Sequence, residues 1–224
     1  YRYFDTIGYV PTYPFGYGMG YTTFTVEPKE LAADAAKVSV TATVTNTGAA
    51  AGKEVVQVYY SAPAGKLDKP YQELAGYAKT KELAPGESQD VTVTFDTQSM
   101  ASYCTECASY VMEAGTYYIR VGNSSRNTHI AGAVALDETK AVEKVKNICG
   151  DSGFEDLKPE RNPITYEGEV EEKENAKTVE IKAADLAVKE TVYQEVPAEI
   201  PAGPAVRWEE VTGGAKTLDA FVAG

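Results

Sequence analysis

Two cysteines stand two residues apart in Cys104-Thr105-Glu106-Cys107, the spacing of a metal knuckle or of a redox pair. A structural zinc ion needs four ligands, and only Cys149 and the single histidine, His129, remain to complete a set. No metal site and no cofactor are therefore expected. Asn123-Ser124-Ser125 fits an N-glycosylation acceptor, but the same residues suit a tight turn between strands, which is the expected role. His129 lies beside a β-rich stretch and is expected to be a strand residue rather than a catalyst. Three cysteines are too few and too odd in number for a disulfide framework. That favours a reducing compartment, so a cytoplasmic rather than secreted protein is expected; a bacterial origin is a separate expectation. A net charge of −12 argues against nucleic acid and against anionic membranes, and no apolar run approaches the ~20 residues of a spanning helix.

The strongest signal is the start of the chain. Residues 1–24 hold nine aromatic side chains, Tyr1, Tyr3, Phe4, Tyr9, Tyr13, Phe15, Tyr17, Tyr21 and Phe24, threaded through Gly8, Pro11, Pro14, Gly16, Gly18 and Gly20. The Gly and Pro spacing predicts neither a helix nor a clean strand, so the rings belong to an irregular segment packed on other protein. The chain opens on Tyr-Arg-Tyr, without initiator methionine or signal peptide, and is expected to be a fragment whose partner domain precedes it. Amphipathic rings either seal an interface or stack on a sugar. Small residues beside large ones favour the interface, with Tyr3, Phe4, Tyr13, Phe15, Tyr17 and Tyr21 as its candidate residues. The alternative is a carbohydrate-binding module built on the same rings. A third class, an adhesive repeat, needs internal repeats that the sequence lacks.

The elements that position these residues read as strands. Val38, Val40, Ala42 and Val44 alternate with Ser39, Thr41, Thr43 and Thr45, and Asn46-Thr47-Gly48 turns the chain. Residues 54–60 place Val56, Val58 and Tyr60 on one face and Val55, Gln57 and Tyr59 on the other, which suits a strand covered on both sides. Residues 72–83 are less regular, and Pro85-Gly86 turns into Val91, Val93 and Phe95. Tyr117, Ile119 and Val121 alternate with Tyr118 and Arg120, and residues 130–136 add a strand with small residues where another backbone can approach. With residues 22–26 as an edge, about seven strands result, the number of an immunoglobulin-like sandwich. Beyond Asp137 the spacing of Val142, Val145 and Ile148 predicts a short helix over 138–148, followed by an extended linker with an acidic stretch at residues 167–174 that either wanders in solvent or wraps along its neighbours. Val179 and Ile181 offer one more strand, and Thr217 caps a final amphipathic helix carrying Leu218, Phe221 and Val222.

Several motifs in order carry a resemblance: Phe4-Asp5-Thr6, Tyr13-Pro14-Phe15-Gly16-Tyr17-Gly18-Met19-Gly20-Tyr21-Thr22-Thr23-Phe24, Val44-Thr45-Asn46-Thr47-Gly48, Gly52-Lys53-Glu54-Val55-Val56-Gln57-Val58-Tyr59, Glu73-Leu74-Ala75-Gly76-Tyr77, and Gly115-Thr116-Tyr117-Tyr118-Ile119-Arg120-Val121-Gly122-Asn123. Over roughly residues 1–136 the chain resembles the fibronectin type III-like domain of glycoside hydrolase family 3, the family of many β-glucosidases. The resemblance implies an all-β, immunoglobulin/fibronectin type III-like β-sandwich with a long irregular C-terminal extension. Its parts are a connector over 1–21 from a preceding α/β domain, a sandwich over 22–137, and a linker over 138–224 toward a missing barrel domain. Family members are retaining glycosidases whose nucleophile and acid/base reside on the barrel and α/β domains. This chain is thus expected to hold no catalytic residue, to have those two domains of its parent as partners, and to leave the glycoside substrate to the parent. The ending Thr217-Leu218-Asp219-Ala220-Phe221-Val222 is similar to the helix that opens the barrel in members with the reversed domain order.

Overall fold

The computed structural model describes residues 1–148, 153, 161–193 and 206–223. The chain divides into two units, Tyr1–Thr191 and Val192–Gly224.

In the larger unit β1 (Phe24–Ala33), β2 (Lys37–Asn46) and β5 (Ser88–Asp96) form one antiparallel sheet in the order β1-β2-β5. The alternation read in β2 has its physical consequence here. Val38, Val40, Ala42 and Val44 are fully buried, while Ser39 pairs with Thr94 and Thr41 with Thr92, each at 2.8 Å, as rungs of hydroxyls on the outer face. A second sheet joins β3 (Val55–Ser61), β4 (Glu73–Lys79), β8 (Gly115–Ser124), β9 (Asn127–Leu136) and β11 (Thr178–Ile181) in the order β11-β9-β8-β3-β4. Val56, Val58, Tyr60, Tyr117, Ile119 and Val121 from this sheet join the β2 valines and Phe95 in one core. Strands β1, β2, β3, β4, β5, β8 and β9 are the seven expected from the sequence, and the all-β sandwich stands.

Additions surround it. A third sheet, β12-β10-β7-β6, comprises β6 (Ser102–Cys104), β7 (Ser109–Met112), β10 (Lys140–Lys144) and β12 (Lys189–Glu190). The helix expected over 138–148 does not form: β10 lies antiparallel to β7, with Val142 buried and Ile148 exposed. The unpaired edge of β7 offers backbone partners, and that overrides the helical spacing. Strand β1 continues well past residue 26, bulging between Pro28 and Glu30 so that the proline sits on an edge without a lost ladder bond. Val179 and Ile181 do lie in a strand, β11, parallel to β9. It approaches where the small residues of β9 allow: a Cβ on Gly132 would stand 2.9 Å from the Lys177 carbonyl oxygen and 2.6 Å from Leu31.

The smaller unit contains α3 (Trp208–Thr212) and α4 (Leu218–Ala223). Thr217 Oγ1 accepts from the Ala220 backbone N–H at 3.1 Å, the expected cap, and Trp208 meets Phe221 edge-on at 5.5 Å. Cys149 lies outside the described residues.

Candidate functional site

The aromatic segment covers the outer face of the second sheet. Its first residues form a single helical turn, α1 (Arg2–Thr6), against the expectation of none. The turn ends before Gly8, and Asp5 holds it to the sandwich. Asp5 is 1% exposed; its carboxylate stands 2.8 Å from Arg126 Nε and accepts from Gln72 Nε2 at 2.9 Å. Gln72, also fully buried, donates to the Ser125 carbonyl at 2.6 Å, so α1 is tied at once to β4 and to the β8–β9 hairpin. The Tyr71 N–H donates to Thr6 Oγ1, and the Leu74 N–H to the Tyr1 hydroxyl, both at 2.8 Å.

Further along, Tyr1 stacks on Phe15 with ring centroids 5.0 Å apart and meets Tyr59 of β3 at 5.8 Å. This explains why β3 is buried on both faces, as its sequence predicts. Burial and the neighbouring charge of Asp5 push the Tyr59 phenol far above its ordinary pKa. Gly16 has φ +84°, and a Cβ there would fall 2.3 Å from the Gln57 amide nitrogen. Gly16→Ala should therefore cost about 1–3 kcal/mol through overpacking and backbone strain. A urea titration checks this, and a midpoint equal to wild type would contradict the close approach.

The other side of the segment faces solvent. Tyr21 is 100% exposed, Tyr13 68% and Tyr17 52%, with Tyr3, Phe4, Phe15 and Met19 also exposed. Tyr13 and Tyr17 lie 5.2 Å apart at 37°, and Tyr3 and Phe4 6.1 Å apart at 53°, so these exposed pairs form no flat platform. Beside them, Tyr17, Lys53, Glu54, Asn123 and Asn127 line a cleft of about 620 Å³. Asn123 donates to Glu54 Oε2 at 3.1 Å and accepts from Asn127 at 2.8 Å; Asn123 and Ser124 end β8 and only Ser125 of the motif lies in the turn that the sequence placed across all three.

A second segment, residues 161–175, covers the neighbouring part of the same face, and it contains what sequence reasoning missed. Arg120, on the outward side of β8, is 0% exposed. Its Nη2 donates to Glu169 Oε1 at 2.5 Å, its Nε to Ser61 Oγ at 2.8 Å, and its guanidinium lies 4.7 Å from the Tyr71 ring centre. Glu169, which opens α2 (Glu169–Glu174), also accepts from Tyr71 at 2.7 Å and Thr165 at 2.8 Å and pairs with Lys173 at 2.9 Å. Burial would raise its pKa, but the hydrogen bonds from Arg120, Lys173, Tyr71 and Thr165 outweigh this and hold it at about 2. Glu172 accepts from the Ile130 N–H at 2.9 Å and from Tyr166 at 2.6 Å, and pairs with His129 of β9 at 2.8 Å. The acidic run is thus bound to the sheet rather than free in solvent. The two covering segments also meet, where the Ile164 N–H donates to the Asp5 carbonyl at 2.8 Å. A charge in the middle of the apolar β8 run was the one legible signal.

Residues 54–125 match the fibronectin type III-like domain family. A β-glucosidase of Ruminococcus albus is 33% identical over 230 residues, covering 100% of this chain and 23% of its own length. Among solved structures, β-glucosidase 3B of Thermotoga neapolitana matches at 45% identity and TM-score 0.57, over 62% of this chain and 19% of its own. This chain carries a fibronectin type III-like domain of the glycoside hydrolase family 3 kind. A β-glucosidase of Paenibacillus barengoltzii matches 99% of the chain and 25% of its own, at 30% identity and TM-score 0.63. The fibronectin type III-like chain spans about a quarter of the length of the curated relatives first matched. The Ruminococcus and Paenibacillus matches run across the extension beyond residue 137 as well as the sandwich, so the extension is a shared feature of these proteins.

Each carboxyl among the described residues whose pKa departs from the ordinary range, including Glu113, Glu169 and Glu172, departs downward. Each of these groups is thereby favoured in its ionised, hydrogen-bond-accepting form.

Proposed function

We propose that this chain is a non-catalytic accessory domain that braces the catalytic domains of a glycoside hydrolase family 3 enzyme hydrolysing terminal β-D-glucosides with retention. The observation that carries this reading is the two-sided aromatic segment. One side is fixed to the sandwich through Asp5, Gln72 and Arg126, and the other presents Tyr13, Tyr17 and Tyr21 to solvent, with Tyr13 and Tyr17 tilted at 37° to each other rather than coplanar as a sugar platform needs. Large rings bury much area for the few rotatable bonds they fix on docking, which suits a surface made to seat another domain. Tyr3, Phe4, Tyr13, Phe15, Tyr17 and Tyr21 are its contact residues. The partners are the α/β and barrel domains, and the glycoside is bound by those domains rather than by this one. The junction between residues 5 and 164 couples the connector at one end to the extension at the other. That arrangement suits the order α/β domain, fibronectin-like domain, linker, barrel.

The isolated chain should show no turnover of an aryl β-glucoside, since in this reading the nucleophile and the acid/base belong to the barrel and α/β domains. Activity that persists through repurification refutes the accessory role. In the parent enzyme, Tyr13→Ser with Tyr17→Ser should lower the thermal midpoint and the activity together. Saturable binding of glucose oligomers to the isolated chain, lost in Tyr17→Ala, would instead establish the carbohydrate-binding module.

A further inference from the structure

The Cys104-Thr105-Glu106-Cys107 turn has no part in that role, and its surroundings point elsewhere. The two sulfurs are joined as a disulfide across the tip of the β6–β7 hairpin, with Cys107 exposed and Cys104 half-buried. The next residue, Ala108, has φ +45°, left-handed backbone that a side chain rarely adopts. Its carbonyl accepts from the Val145 N–H at 2.9 Å, the first bond beyond β10 where the chain leaves the third sheet. Tyr103, Cys104 and Cys107 line a cleft of about 970 Å³ together with Lys66, Leu67 and Asp68. A small thiol can therefore reach the bridge without unfolding of the domain.

We propose that Cys104 and Cys107 form a reversible thiol–disulfide site that takes low-molecular-weight thiols and controls the hold of the sheet on the extension at Val145. A thiolate attacks Cys107 Sγ, the exposed sulfur, forming a mixed disulfide as the bond to Cys104 breaks and Cys104 departs as a thiolate that takes up a proton. A second thiolate attacks the mixed disulfide at the small molecule's sulfur. The Cys107 thiol is released and the two small thiols leave as their disulfide, so the protein gains two electrons and two protons. The closed bridge holds the turn that keeps Ala108 left-handed. Opening it lets Ala108 relax to ordinary backbone and swings its carbonyl away from Val145.

The test uses the full chain carrying Cys149→Ser, equilibrated in reduced and oxidised glutathione and then alkylated. Two alkylated cysteines should appear in reducing buffer and none in oxidising buffer, with the circular dichroism of the sandwich unchanged. Hydrogen exchange at Val145 should be at least about tenfold faster in the reduced protein, and Cys104→Ser with Cys107→Ser should show the fast rate in both buffers. Alkylation that appears only when the protein unfolds overturns the proposal. So does exchange at Val145 that is the same in both redox states.

Discussion

Glu169→Ala should destabilise the larger unit by about 3–5 kcal/mol, because it leaves the fully buried Arg120 guanidinium without its carboxylate. The loss should be concentrated where the pair acts. Hydrogen exchange should rise first across residues 161–175 and at Ile130, whose N–H is held by Glu172 in the same segment. Arg120→Met combined with Glu169→Leu should recover part of the loss, since an apolar pair of similar volume carries no stranded charge. The same group sets an acid dependence. Its folded pKa of about 2 lies below the ordinary 4.5, so the contribution is complete above 4.5 and disappears as pH falls from there through about 2. At about 1.4 kcal/mol per unit this is on the order of 3 kcal/mol. Glu169→Gln should flatten that part of the stability curve. A denaturant midpoint for Glu169→Ala indistinguishable from wild type, or an unchanged acid limb in Glu169→Gln, would show that the pair does not hold the segment.

Asp5→Ala should cost about 3 kcal/mol and free the aromatic segment from the sandwich. The substitution strands Arg126, which is partly exposed and can regain water, and Gln72, which is not and cannot. Asp5→Asn keeps an acceptor for Gln72 and should lie between the two. Protease cleavage within residues 1–20 should accelerate well before the sandwich melts, and in the parent enzyme activity should fall with it. Unchanged cleavage alongside a lowered midpoint would mean that Asp5 stabilises the fold without fixing the segment. The brace would then need another attachment.

How much of this was legible in the sequence follows from the range of the interactions concerned. The seven sandwich strands were readable because alternation is local: Val38, Val40, Ala42 and Val44 point inward on any sheet whose register keeps a core. The Thr217 cap was readable for the same reason, since a hydroxyl and an N–H three residues on need nothing distant. The aromatic segment was recognisable from composition, but not the residue that holds it, because Asp5 meets Gln72 across 67 positions and Arg126 across still more. The residues at 140–144 carried a helical pattern and became a strand, since the open edge of β7 supplies hydrogen bonds that a short isolated helix cannot match. Glu169 and Glu172 lay in an acidic stretch that the sequence left either in solvent or wrapped along its neighbours. A carboxylate is solvated or buried according to what lies opposite it, and only the tertiary fold sets Arg120 and His129 there. The sequence by itself determined the sandwich, the family it is similar to and the concentration of aromatic residues at the start of the chain. The tertiary structure alone decided which side of that segment is fixed, and that the extension returns to close over a buried charge, because both depend on pairs brought together only by folding.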